Sequence, residues 1–305
     1  MSPDLQLFLQ QLLNGLTLGM VYALIALGYT MVYGVIQLIN FAHGEIFMAG
    51  AYLALTAFWI VTACVAGAPV WLVLAFMFVF SMTATAVLGG VIEKVAYRPL
   101  RGSPKLTALI TSIGVSFFLQ NAVMLLYDAK EQSVPEIIPP VSVSIGSVSF
   151  SLIQGVIFSV SIGGLFFLTW FVRHTRVGKA MRACSENPEA AALMGISVNG
   201  VIRTTFVLGS ALAAVAGTLF ALNYGSINFH DGYLAGLKAF TAAVFGGIGS
   251  IPGAMLGGIV LGVLEGLGAG YISSEWKDVF AFLILVIVLI FKPSGMLGEN
   301  VPEKV

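Results

Sequence analysis

Uncharged apolar runs recur along this chain, and no other feature constrains its fold more: Val279 to Phe291, for example, holds no ionisable or amide side chain. Only 9% of the residues are charged, against about 25% in soluble domains. In lipid every backbone N–H and C=O must find its partner inside the protein, which leaves helices or a closed barrel. The runs are continuous, not the roughly ten-residue alternating strands of a barrel. The chain is therefore expected to be an all-α, polytopic membrane protein.

Hydropathy breaks and turn residues place spans at 8–34, 41–65, 69–91, 106–127, 152–172, 203–223, 234–249, 253–272 and 277–292. That predicts nine helices, eight to ten, some of them broken. The seventh is short enough for a half-span or re-entrant segment. Lys94, Arg98, Arg101, Lys105, Arg173, Arg176, Lys179, Arg182, Arg203, Lys292 and Lys304 fall on one side. Lys130, Lys238 and Lys277 fall on the other. An excess of Lys and Arg marks the cytoplasmic face, which puts the N-terminus outside and the C-terminus inside. Cys64 and Cys184 then lie on opposite faces and cannot pair. The N-terminus lacks a basic region and a small-residue cleavage site, so it reads as mature sequence. Zero net charge gives no bulk electrostatic pull toward nucleic acid.

"VSVSIGSVSFS" (141–151) alternates around Ile145-Gly146 as a small outer hairpin would, and "NYGSINFHDGYLAG" (223–236) reads as an outer loop. Gly249, Gly253 and Gly257, and again Gly258, Gly262, Gly266 and Gly270, recur every four residues and predict close helix approach. Within "GGIGSIPG" (246–253), Gly249 and Pro252 should break the chain between spans seven and eight. There is no HExxH, no CxxC and no Gly-Lys-Ser/Thr phosphate loop. No catalytic or metal residue and no cofactor is therefore expected on this chain.

The loop 173–203 differs from the rest. Asn187 is a good helix cap, Pro188 suits the first helical position, and Glu189 sits where the helix dipole favours a carboxylate. Alanines follow, and Gly195 can close the helix. A short, separately capped helix here can dock into a soluble partner, so that the partner's movement drags the attached spans; an incidental loop helix is the plainer alternative.

In "QLINFAHGEIFMAG" (37–50), Asn40, His43 and Glu45 interrupt an apolar run. Charge in a membrane interior costs roughly 2.5–3.5 kcal/mol on insertion scales, so such residues usually face a cavity or a partner. Asn40, Phe41, His43, Gly44 and Glu45 either line a pathway, form a structural helix break with Asn40 as cap, or exchange protons. Glu265, in the eighth span, reads as a contact to a neighbouring helix.

"EAAALMG" (189–195) matches the Glu-Ala-Ala-x-x-x-Gly signature of bacterial ABC-importer permeases. "ALIALGYTMVYGVIQLINFAHGEIFMAGAYLAL" (23–55), "EKVAYRPLR" (93–101), "ALITSIGVSFFLQN" (108–121) and "KAFTAAVFGGIGSIPGAMLGGIVLG" (238–262) resemble the permeases of branched-chain amino-acid importers, in particular the first of that system's two types. The resemblance implies one permease domain over residues 1–305 in the bacterial inner membrane. It implies a second homologous permease, two cytoplasmic ATPase subunits that use the ATP, and a periplasmic binding protein. Glu189, Ala190, Ala191 and Gly195 would form the coupling helix. Urea and short-amide importers have closely similar permeases, and an ion-coupled secondary transporter is the alternative from another class.

Overall fold

The computed structural model describes residues 3–145, 148–292 and 294–298. Helices stand at all nine predicted positions: α1 (Pro3–Ile36), α2 (His43–Cys64), α3 (Val70–Ile92), α4 (Lys105–Tyr127), α5 (Leu152–His174), α8 (Val198–Tyr224), α9 (Asp231–Gly246), α10 (Ile251–Tyr271) and α11 (Lys277–Phe291). Two more, α6 (Arg176–Glu186) and α7 (Pro188–Leu193), occupy the basic loop. Seven of the described helices are long and apolar enough to cross a membrane. The other two near-spanning helices, α9 and α11, have 16 and 15 residues. At 1.5 Å per residue they cover about 24 and 22 Å, short of a hydrocarbon core of roughly 30 Å.

Local chemistry sets the boundaries. Ser151 and Gln154 form a capping box at the start of α5, and the side chains of Thr175, Ser197 and Ser250 accept N–H bonds at the starts of α6, α8 and α10. Gly225, at φ +68°, closes α8 in a conformation that costs other residues roughly 1–2 kcal/mol. The strands are small. β2 (Ser142–Ile145) pairs antiparallel with β3 (Val148–Ser151) as the predicted hairpin, and β1 (Gln132–Ser133) pairs with β4 (Ser226–Ile227). Gln10 of α1 accepts from the Ser149 backbone N–H (3.1 Å), which lays the hairpin against the first helix. The predicted 223–236 loop is shorter than expected, because α9 starts at Asp231.

α1 is the centre of the bundle, and from Met20 to Val35 most of its side chains are buried. It packs along its length on α10 and also on α8, α9 and α5. Small residues make the α1–α10 contact. A Cβ on Gly258, Gly262 or Gly266 would run into the backbone of Ala23, Gly19 and Gly15 respectively. In lipid there is no hydrophobic drive between helices, so this backbone contact supplies the packing. Gly253 and Gly257 serve α9 in the same way, lying on Gly246 and Ala242. Gly249 departs from the predicted stripe: it lies in the 247–250 turn, exposed, at φ +96°.

Lys238 falls inside the predicted 234–249 span although it is counted with the outer basic residues, and it lies within α9, 4% exposed. Its Nζ donates to Glu265 of α10 (2.6 Å) and stands 2.6 Å from an Asp278 oxygen of α11. The Tyr22 ring of α1 lies 5.7 Å away. One cation thus ties together three helices, two of them short.

Candidate functional site

The break between α1 and α2 is held by side chains. α1 stops at Ile36, and Gln37 takes a positive φ of 52°. Asn40, buried, accepts through Oδ1 from the Ala42 N–H (3.0 Å) and from the Tyr97 hydroxyl (2.8 Å). Its carbonyl accepts from the His43 N–H. Asn40 therefore braces the turn, while Ala42 is the residue at the cap position of α2.

The ring of His43 is 1% exposed, meets Tyr29 edge-on at 4.7 Å between centroids, and lies against Gly28. Glu45, also 1% exposed, accepts from Ser116 of α4 (3.1 Å), and its second oxygen has no partner among the described residues. Gly44 sits backbone-to-backbone on Gly232 and Gly236 of α9, where no side chain would fit. The ring of Phe41 packs tilted, at 57°, against that of Phe240 of α9, 5.7 Å between centroids.

The two predicted breaks meet. Leu38, Ile39 and Asn40 share a small cavity with Phe240 and Ile248. Gly34, near the end of α1, faces the Gly249 backbone. Pro252 stands apart from that cavity, in the exposed first turn of α10.

In the basic loop, α6 packs between α5 and α8 and carries α7 at its end. Asn187 accepts from the N–H groups of both Glu189 and Ala190 (3.0 Å each). Gly195, at φ +82°, turns the chain so that its N–H reaches Ala192 O and the Ile196 N–H reaches Ala191 O. Ala191 is buried and anchors the helix, whereas Glu189 and Ala190 are exposed. Leu193 and Met194 are 89% and 82% exposed. These two large apolar side chains stand out from the surface at the end of α7, inside the sequence motif and not singled out by it.

A clasp not anticipated from the sequence joins these parts. After α3 the chain makes a π-helical turn (Glu93–Tyr97) and a short 3₁₀ turn (Arg98–Leu100). Arg101 reaches back to Glu93, 2% exposed, and forward to Asn199 in the first turn of α8. Tyr97, on the π-turn, is the partner of Asn40. Between this clasp, the end of α1 and helices α6–α8 lies a cavity of about 640 Å³. It borders both the 37–38 segment and the α7 residues Pro188 and Glu189.

A helical bundle with seven described helices long and apolar enough to cross a membrane, two chain breaks that meet, and a short apolar-tipped helix on its basic side defines a multi-pass membrane protein. A family model described as "Branched-chain amino acid transport system / permease component" matches residues 11–289. The chain belongs to that family. It is 51% identical to the high-affinity branched-chain amino acid transport system permease protein BraD of Pseudomonas aeruginosa, over 99% of this chain and all of BraD. It is 48% identical to the permease protein LivH of Escherichia coli, over the full length of both. The probable LivH of Methanocaldococcus jannaschii is 28% identical over 91% of this chain and 88% of its own length. A solved structure titled PsaBC from Streptococcus pneumoniae in complex with Fab aligns over 94% of this chain and 92% of its own, at TM-score 0.46 and 14% identity, too loosely to build on. The chain is a transport component, not an enzyme, and a permease component works with the other subunits of its system.

Proposed function

We propose that this chain is the permease subunit of an ATP-driven importer that carries leucine, isoleucine and valine across a bacterial inner membrane. The observation that carries the reading is the full-length identity of 48–51% to permeases named for high-affinity branched-chain amino acid transport. The whole chain acts as one permease domain, with the 173–203 loop cytoplasmic and the N-terminus outside. A second homologous permease completes the pathway, and a periplasmic binding protein delivers the substrate. Two ATPase subunits dock below, and they, not this chain, bind and hydrolyse ATP.

The geometry supports a mechanical division of labour. Leu193 and Met194 seat α7 in the ATPase. Motion of α7 passes through the continuous α7–α8 connection and the Arg101 clasp into α3 and, by Tyr97–Asn40, into the α1–α2 break. A packed bundle answers such a push by switching between discrete arrangements. Glu45 and His43 shape the break and the pathway wall beside it without carrying protons.

The test is uptake by the reconstituted complex with ATP inside the vesicles. Labelled leucine, isoleucine and valine should enter and urea should not; the reverse result overturns the substrate reading. His43→Ala and Glu45→Gln complexes should transport equally with and without a proton gradient. A gradient requirement would reassign both residues to ion coupling.

A further inference from the structure

The cavity of about 640 Å³ beside the coupling helix has no place in the transport cycle just described. Its size falls within the ~300–1,000 Å³ of small-molecule sites. Its chemistry is two-sided. Ile36, Leu38, Leu100 and Ile202 supply apolar wall, Arg101 lies on one side, and Glu186 and Glu189 belong to the α6–α7 side. Arg101 spends one contact of Nη1 on Asn199 and one of Nη2 on Glu93. A guanidinium has five N–H donors, so others remain free.

Glu93 neutralises Arg101 from behind, which leaves the cavity with the surplus negative charge of Glu186 and Glu189. Phosphate-bearing ligands are disfavoured there. A ligand with an ammonium for the glutamates, a carboxylate for the free guanidinium donors, and a hydrocarbon side chain for the wall meets every surface. We propose that this cavity is a regulatory site for a zwitterionic amino acid with an apolar side chain, taken from the cytoplasmic side, whose binding holds the coupling helix and slows transport. The inference rests on the proposed importer function and adds a second, inhibitory place for the transported class of molecule.

The inhibitory sign follows from linkage. The walls belong to the α1–α2 break, the 98–103 turn, α6–α7 and the start of α8, the parts that must shift relative to one another for α7 to act. A ligand touching all of them stabilises the arrangement seen here over any arrangement that separates them, and does so only by its difference in affinity for the two. Leu193 and Met194 do not line the cavity, so a docked ATPase and a bound amino acid occupy different ends of the same helix.

The experiment uses the complete complex in proteoliposomes with ATP inside and its binding protein outside. The lumen is preloaded with L-leucine, and the initial uptake of labelled isoleucine is read. At luminal leucine ten times the half-inhibitory concentration the rate should fall about ten-fold. 4-Methylvalerate, which lacks the ammonium, and isoamylamine, which lacks the carboxylate, should leave it unchanged.

S185K supplies an ammonium to the glutamates and S103E a carboxylate to the free guanidinium donors, each from one wall only and without tying the walls together, and each should keep uptake into empty vesicles while raising the half-inhibitory concentration at least ten-fold. Undiminished uptake into leucine-loaded vesicles overturns the proposal. So does equal inhibition in wild type and both variants, which would place the effect in the pathway. Where a variant loses uptake, calorimetric titration of the purified complex with L-leucine, without binding protein, decides: heat in wild type and none in the variant supports the site, and no heat in wild type overturns it. Failure of isoleucine to enter empty wild-type vesicles would instead refute the importer reading itself.

Discussion

Arg101→Ala should destabilise the protein by roughly 2–3 kcal/mol. The side chain of Glu93 is 2% exposed and that of Arg101 25%. Removing one partner of a buried ion pair costs about 3–5 kcal/mol, because the other charge is left without compensation. The partial exposure of Arg101 lets water reach the gap and trims the figure toward the ~1–3 kcal/mol of an unsatisfied buried polar group. At about 2–4 °C per kcal/mol for a chain of this size, the midpoint should fall by about 5–10 °C in thermal unfolding of the detergent-purified protein. Glu93→Leu combined with Arg101→Ala removes both charges and should recover most of the loss, giving a coupling energy above about 1 kcal/mol in the double-mutant cycle. A midpoint within about 1 °C of wild type for Arg101→Ala, or a double variant as unstable as the two singles summed, would refute the clasp.

Gly195→Trp and Glu189→Lys should each abolish ATP-driven uptake while leaving normal amounts of protein in the membrane, as read by immunoblot; full uptake in both would remove α7 from the coupling role. Gly262→Val should cost at least the ~1–3 kcal/mol of an overpacked contact, seen as a lowered unfolding midpoint, since its Cβ would meet the backbone of Gly19. Exposed Cys64 should react with an impermeant maleimide from outside intact cells. Buried Cys184, whose thiol is pushed up by burial, should react slowly and only after the cytoplasmic face is opened. Reversed sidedness would invert the topology.

The helices were legible because apolar runs and their punctuation are local: Asn187 caps α7 and Gly195 turns the chain after it as read, whereas the Ser197 cap that starts α8 five residues before the predicted span was not read. The seventh helix was recognisable as short for the same reason. Lys238 was inside the predicted seventh span, but its role was missed because its partners are not local. It stands seven residues into a helix after a polar loop, and the carboxylates that compensate its burial, Glu265 and Asp278, come from two other helices.

The clasp was hidden in the same way, since Glu93, Arg101 and Asn199 come from three segments that read as ordinary cytoplasmic charge and amide. α6 went unseen because its charged side chains resemble a loop. In the candidate site, Asn40, His43 and Glu45 advertised themselves by their polarity in an apolar run. Leu193 and Met194 looked like any apolar pair until their exposure was known, and Tyr97 and Ser116 became readable only when folding brought them to Asn40 and Glu45.

The central claim is that this permease moves branched-chain amino acids by motion of α7 driven from an ATPase. Initial uptake of labelled leucine into proteoliposomes holding the complete complex tests it, with ATP or a non-hydrolysable analogue inside and with ionophores present or absent. Uptake should require hydrolysable ATP and the binding protein and be indifferent to ionophores. Uptake without ATP that collapses with the proton or sodium gradient would contradict it.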